Sequence, residues 1–495
     1  MKWGPSFLLL IVPLTASAAD TLVSLKRDGN TVRFQLADGQ AEMEWLSPFA
    51  FRFYRRFGGP AEVSAPLKQE TVEYTVEERG GQRWIQTSEV SVQIDGSSFR
   101  LRVLDPHRKI SFTEWELTSP GQLERVLVPE ERIYGIGPRS DARLDARGQK
   151  VRGVAGAFYV SSRGYGVYST GGPHEFDLTK DLRVAFASKQ ELEYVFYAGP
   201  KLKDIYERHM VIAPQGWVLF RHHAGPLSRM QLPKYAPEVP LSLPELLHAS
   251  LAGNLTPSVD CLKHFEPWCV YLPVILADQR AEPARSRLEP YLLAYLQEVK
   301  DRGYPVLRPL PLQYPLDREA GLTADTFMLG DELLVAPLPS AANRRRVVLP
   351  RGQWTDLRTN TRHTGRQTIE VEGPASSPPV FAKNGSIVPF RLTQDLYELN
   401  YFPQLGGEFF LYEVEKQEWT QVHAAPNGDY MRMEIESKVA REYEWVIHHV
   451  TRPLSVESPA KVTWHYDEKP GNLHIRLRAV AGGDEIVNVE FAAQP

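Results

Sequence analysis

Cysteine is nearly absent: Cys261 and Cys269 are the two in 495 residues. That count excludes a disulfide framework and every cysteine-rich zinc site. The two lie close enough to pair in an oxidising compartment, or to sit as two buried thiols, and the sequence leaves both readings open. Strong charge of one sign is also missing. A net charge of −4 lacks the basic balance of a nucleic-acid partner. Beyond the first residues no segment approaches the ~20 apolar residues of a membrane-spanning helix, so no membrane span is expected. Histidine occurs as two adjacent pairs, His222-His223 and His448-His449. Neighbours in a strand face opposite ways, so neither pair turns both rings on one metal, and no metal or cofactor is expected.

What is present begins with an export signal. Lys2, an apolar run from Phe7 to Leu14 and the small residues Ala16-Ser-Ala-Ala before Asp20 stand in the order of a secretory leader. Residues 1–19 are therefore expected to be a signal peptide and the product to be secreted or periplasmic. From Thr21 to about Ala198 the pattern is β. Thr31-Val-Arg-Phe-Gln-Leu and Phe49-Ala-Phe-Arg-Phe alternate, and Gly- or Pro-rich turns punctuate the rest, as in a β-sandwich. Helical signals follow. Ser242 with Glu245 forms a capping box before Leu243, Leu246, Leu247 and Leu251, and a later stripe of Leu288, Tyr291, Leu292, Tyr295, Leu296 and Val299 ends at Gly303. Pro290 either kinks that second helix or starts it.

The clearest stretch runs from Gly303 to Pro337, GYPVLRPLPLQYPLDREAGLTADTFMLGDELLVAP. Pro305-Val-Leu-Arg-Pro-Leu and Leu333-Leu-Val-Ala read as buried strands, with Gly330-Asp331 supplying turn chemistry between them. This wording resembles glycoside hydrolase family 31, the α-glucosidase and α-xylosidase family, at the close of its catalytic barrel. Further landmarks of that family are matched by Ile133-Tyr-Gly-Ile-Gly, Leu144-Asp-Ala-Arg-Gly, Phe158-Tyr-Val-Ser-Ser-Arg-Gly-Tyr-Gly-Val-Tyr and Val380-Phe-Ala-Lys-Asn-Gly-Ser-Ile-Val-Pro-Phe. The resemblance implies a multidomain β plus α/β chain. Its expected parts are an N-terminal β-sandwich (20–195), a (β/α) barrel region (196–332), and proximal (333–392) and distal (393–495) C-terminal β domains.

The barrel region is too short. Phe196 to Leu312 offers about 117 residues, whereas an eight-stranded barrel takes ~250 and at least ~200. About half of it is therefore expected to be missing. The family's nucleophile lies in Trp-x-Asp-x-x-Glu, and no such motif occurs between Phe196 and Leu312. The Trp354-Thr-Asp356 that does occur reads as a strand end before a turn. Where the family has its acid, this chain has Lys234-Tyr-Ala-Pro-Glu-Val-Pro-Leu, with Glu238 within one residue of the aligned place and no Asp. A retaining glycosidase needs both carboxyls.

Four residues are expected to contact sugar if any do. Arg221 matches a substrate-contacting arginine, and Asp260 stands seven residues beyond Gly253, where the family holds sugar hydroxyls. Trp217 and Trp268 offer stacking faces, or are core residues. Where the family has a pocket histidine, Asp278 stands instead. The expected protein thus recognises an α-linked oligosaccharide or glycoside without turnover. One alternative is a hydrolase rebuilt on Glu238 and Asp260. Another is a partner-binding remnant, whose open barrel edges would be covered by a homodimer or another chain.

Overall fold

Alternation in Thr31–Leu36 turns Val32, Phe34 and Leu36 inward while Arg33 and Gln35 stay exposed. This is the half-buried pattern of an antiparallel sheet. The computed structural model describes residues 21–492 apart from 57–66, 98, 108–109, 120–121, 126, 138, 140–142, 153–157, 170–174, 186–190, 213–241, 254–281, 339–342 and 375–376. These divide into two compact units. The first holds residues up to 129 with 148–156 and 167–198, and the second holds 130–147, 157–166 and everything from 199 onward.

The first unit is all β. Leu22–Asp28, Thr31–Leu36, Gly39–Ser47, Ala50–Arg56 and Glu191–Ala198 pair in that order, all antiparallel. A second sheet runs from Lys150–Arg152 through Glu175–Asp177, Leu182–Ala185, Gln122–Arg125 and Ile110–Ser119 to the meander ending at Thr75–Arg79. Phe99, beside the second sheet's strand Arg100–Asp105, packs its ring 5.3 Å from Phe34 and 6.3 Å from Phe53 of the first sheet. The two sheets thus share one aromatic core, the sandwich that the alternation predicts.

The second unit carries the helices. Among its described residues α1 spans Leu202–Ile212, α2 Leu243–Leu251 and α3 Glu282–Arg302. The capping box on α2 forms, with the Ser242 N–H donating to Glu245 Oε2 at 2.7 Å. Leu246, Leu247 and Leu251 are buried. In α3 Pro290 lies inside the helix, which starts upstream of it. Burial extends past the expected stripe to Glu289, Leu293 and Ala294, so α3 is enclosed on more than one face. Gly303 ends it at φ 71°, where a Cβ would meet the Met210 side chain at 2.7 Å.

Among the described residues of 199–332 the strands are Leu307–Pro309 and Phe327–Leu329, and they pair antiparallel with each other rather than in the parallel ladder of a barrel. They lead into a sheet with Leu333–Val335, Val380–Lys383, Gln353–Asp356 and Thr361–Thr364. That sheet runs straight through the division expected between 332 and 333. The two-stranded sheet of Arg344–Leu349 with Gln367–Glu372 supplies Val347, Leu349 and Val371 to the same core as Met328, Leu334, Trp354 and Phe381. Ser386–Arg391, expected before a boundary at 392, pairs with Leu396–Phe402 in the distal part. A tight turn between those two strands leaves no room for a linker. The distal part comprises two five-stranded sheets.

No described helix is long and apolar enough to cross a membrane. Residues 1–20, with the expected leader, lie outside the described residues, as do Cys261, Cys269 and His222-His223.

Candidate functional site

The chain carrying Trp217, Arg221 and Glu238 leaves α1 at Ile212 and returns at Ser242. The chain carrying Asp260 and Trp268 leaves Gly253 and returns at Glu282. All five expected site residues lie outside the described residues, as does Asp278. What the structure gives is the framework that holds those four ends.

The framework is tied by side chain to main chain. Tyr206 of α1 donates its hydroxyl to Leu251 O at 2.7 Å, joining α1 to the end of α2. Ser250 Oγ donates to Leu307 O at 2.6 Å, joining α2 to the first strand of the sheet. The Ile133–Gly135 strand lies against the same end of α2. At Gly135, φ 94°, a Cβ would stand 2.7 Å from Phe158 O and 3.0 Å from Leu251 O. Only glycine permits that approach. Behind it the buried Glu131 Oε1 accepts from Ser161 Oγ at 2.6 Å and Tyr165 OH at 2.7 Å. A buried carboxylate with two such donors is held rigidly.

The strongest polar arrangement sits where the opening strand meets α1 and α3. Arg308 is fully buried in an otherwise apolar strand. An arginine there must find carboxylates, and it has two. Its Nη1 donates to Asp331 and its Nη2 to Glu298 of α3, while Nε donates to Pro305 O at 2.8 Å. The guanidinium also lies 4.9 Å from the Tyr295 ring centre. Asp331 Oδ1 accepts further from Lys203 of α1 at 2.6 Å and from Gln313. Burial pushes the Asp331 carboxyl up, but Arg308 and Lys203 outweigh it and hold the group below its ordinary range. Asp331 is thus a permanent anion, not an acid. From its place in a turn the Asp331 carboxylate reaches Lys203 of α1.

Its neighbour behaves oppositely. Burial, then the Asp331 charge, push the Glu332 carboxyl up to about 7. Tyr291 Oη lies 2.6 Å from Leu329 O and 2.8 Å from Glu332 Oε2, and Tyr295 also donates to that oxygen. Tyr291 has one proton for two acceptors. If Glu332 is protonated it can donate to Tyr291, which then serves the carbonyl, and every group is satisfied. The main chain makes this possible at Gly330, φ 61°, where a Cβ would stand 2.2 Å from the Tyr295 ring. A proton near neutrality and a fixed anion are side by side, but both are spent on holding α1 and α3 to the sheet.

Trp354-Thr-Asp356 is the strand end expected of it. Trp354 is buried, and Asp356 Oδ1 accepts from the Arg358 N–H at 2.8 Å. His448 stacks on Phe402 at 4.3 Å and bonds Asn400, with no metal-type neighbour group among the described residues. One set of metal-type donors does converge among the described residues, His465, Asp467 and His474 in the distal sheet.

Residues 303–388, which include Arg308, Asp331 and Glu332, match the model of the glycosyl hydrolase family 31 C-terminal domain. The chain is related to glycoside hydrolase family 31. Mouse neutral alpha-glucosidase AB is 38% identical over 128 residues, 25% of this chain and 14% of that protein. Alpha-glucosidase 2 of Bacillus thermoamyloliquefaciens is 28% identical over 181 residues, 34% of this chain and 22% of that protein. The aligned stretches thus span under a quarter of either relative's length. A Flavobacterium johnsoniae family 31 dextranase complexed with isomaltotriose superposes with a TM-score of 0.78 at 14% identity, covering 96% of this chain and 100% of that one. The glucosidase II alpha subunit superposes at 0.69 with 10% identity, over 96% and 97%. At those identities the family 31 structures speak to fold, and the fold is multidomain and β-rich.

Sequence reasoning missed Asp331 and Glu298 as partners of Arg308, and Lys203 as a further partner of Asp331. The signal was Arg308 itself, a charge in a run read as buried on both faces.

Proposed function

We propose that this is a secreted, family 31-derived protein of carbohydrate metabolism that recognises α-glucosides or α-xylosides without hydrolysing them. The observation that carries the reading is the absence of Trp-x-Asp-x-x-Glu between Phe196 and Leu312 in a chain whose residues 303–388 match the family. Without that Asp the retaining mechanism has no nucleophile. The relatives' names, alpha-glucosidases and a dextranase seen with isomaltotriose, support the substrate class. Arg221 and Asp260 are assigned to sugar hydroxyls, and Trp217 and Trp268 to the apolar faces of the rings. The leader pattern supports export. A half barrel with open edges would be covered by a second copy of the chain or by another chain.

The test is calorimetric titration of the mature protein with maltose, isomaltose and an α-xyloside. Saturable heat without turnover, lost in Asp260→Asn, is the expected result. Sustained heat flow after each injection overturns the inactive reading. It leaves the rebuilt hydrolase, provided Glu238→Gln and Asp260→Asn abolish it. Silence across the panel removes sugar recognition altogether.

A further inference from the structure

The distal part holds a feature that sugar recognition does not use. The strand Val462–Asp467 edges its sheet and pairs antiparallel with Asn472–Ala479, placing His465 directly opposite His474. Their rings stack in parallel, centres 4.4 Å apart. Strand period turns Thr463, His465 and Asp467 to one face, so Asp467 joins the two histidines. His474 Nε2 lies 3.5 Å from Asp467 Oδ2, and His465 Nε2 lies 4.0 Å from Asp467 Oδ1. One donor atom from each of the three falls within 4.8 Å of the others.

A second observation fixes which nitrogen faces the cluster. On the neighbouring strand Arg441–Ile447, Glu444 Oε1 accepts from His474 Nδ1 at 3.0 Å, and Glu444 Oε2 accepts from Arg476 at 2.9 Å. With Nδ1–H engaged, Nε2 of a neutral His474 presents its lone pair towards Asp467. A carboxylate behind a ligating imidazole is the usual second support of a metal-bound histidine. The group opens on a cleft of about 310 Å³ lined by Glu444, Thr463, Trp464, His465, His474 and Arg476.

We propose that the distal β domain binds a divalent transition metal of the zinc class through His465 Nε2, His474 Nε2 and an Asp467 oxygen, with Glu444 positioning His474. Two imidazoles and one carboxylate favour Zn²⁺ over Ca²⁺, which takes oxygen ligands. Zinc–nitrogen bonds of about 2.0–2.1 Å require the stacked rings to tilt so that both Nε2 lone pairs converge on one point. The side chains that must move are the free ones, His465 at 64% and Asp467 at 49% exposed. Three protein ligands leave the fourth position to water in the cleft.

The experiment is calorimetric titration of the chelator-treated full chain with Zn²⁺ alone at pH 7.5, and separately with Ca²⁺. One Zn²⁺ per chain is expected, without Ca²⁺ heat. His465→Ala, on an exposed edge strand, should weaken binding at least tenfold with an unchanged melting temperature, and His474→Gln should abolish it. Glu444→Gln should weaken it about 10–100-fold if it positions the ligand. The wild-type melting temperature should rise with added Zn²⁺, and that rise should be absent in His465→Ala. No Zn²⁺ heat in the wild type overturns the proposal. Unchanged Zn²⁺ affinity in both histidine variants also overturns it, placing the metal elsewhere in the chain.

Discussion

Replacing Glu332 by glutamine should change how stability responds to pH more than it changes stability itself. The carboxyl's ordinary value is 4.5 and its folded value is about 7. Between the two the native state holds a proton that the unfolded state has released, so stability falls as pH rises through this window. At 1.36 kcal/mol per unit the loss approaches about 3 kcal/mol by pH 8. A glutamine amide keeps the shape of the neutral acid and has no proton to lose. Glu332→Gln should therefore differ from the wild type by a constant at and below pH 4.5. Relative to that constant it should gain up to about 3 kcal/mol between pH 4.5 and 8. Buried histidines act in the opposite sense. Burial pushes His209 down to about 3, and His448 to about 3 with help from His449, so each contributes stability that is lost as pH falls through 6.5. These contributions are common to both proteins and cancel in the difference. Urea unfolding followed by tryptophan fluorescence at pH 4.5, 5, 6, 7 and 8 reads it. A difference that stays flat across the series would refute the account of Glu332 as a proton held by burial and the Asp331 charge.

Two other substitutions test the same node. Arg308→Ala removes the common partner of Asp331 and Glu298 and should cost ~3–5 kcal/mol in urea unfolding; a loss below about 1 kcal/mol would show that Lys203 alone suffices. Gly330→Ala and Gly428→Ala share φ 61°, but a Cβ meets the Tyr295 ring at 2.2 Å in the first and nothing within 4 Å in the second. Gly428→Ala should cost about 1–2 kcal/mol for the left-handed backbone and Gly330→Ala clearly more. Equal losses would remove the ring contact from the explanation.

Local periodicity was legible wherever one face of an element decides its fate. The Thr31–Leu36 alternation, the Ser242–Glu245 cap and the stripe from Leu288 to Val299 all stand where the sequence places them. What was not legible is pairing between distant segments. Leu307–Pro309 reads as a buried strand from its own residues, but its antiparallel partner Phe327–Leu329 lies beyond two short helical segments and is not announced by any pattern within the run. Glu298 points to the buried Arg308 guanidinium and Lys203 to Asp331, neither of which their own helices' patterns announce. The zinc-class group was hidden for a related reason. Adjacent histidines attract notice, whereas His465 and His474 become neighbours only once the hairpin closes. Of the site candidates Arg221 and Asp260 rest on the matched motifs, Trp217 and Trp268 on their nearness to them in sequence, and Glu238 on its nearness to the aligned place of the family's acid.

The antiparallel sheet that runs from Leu307 through Val380–Lys383 bears on how this module can be inherited or excised. A fragment starting at Leu333 would strip two strands and lay the Leu333–Val335 edge bare. One starting at Gly303, where the family match begins, keeps the sheet but leaves a buried Arg308 without Glu298 and Asp331 without Lys203. The stretch most recognisable in sequence is therefore not a self-sufficient unit. Recombination or limited proteolysis should yield a stable piece only if α1 and α3 travel with it.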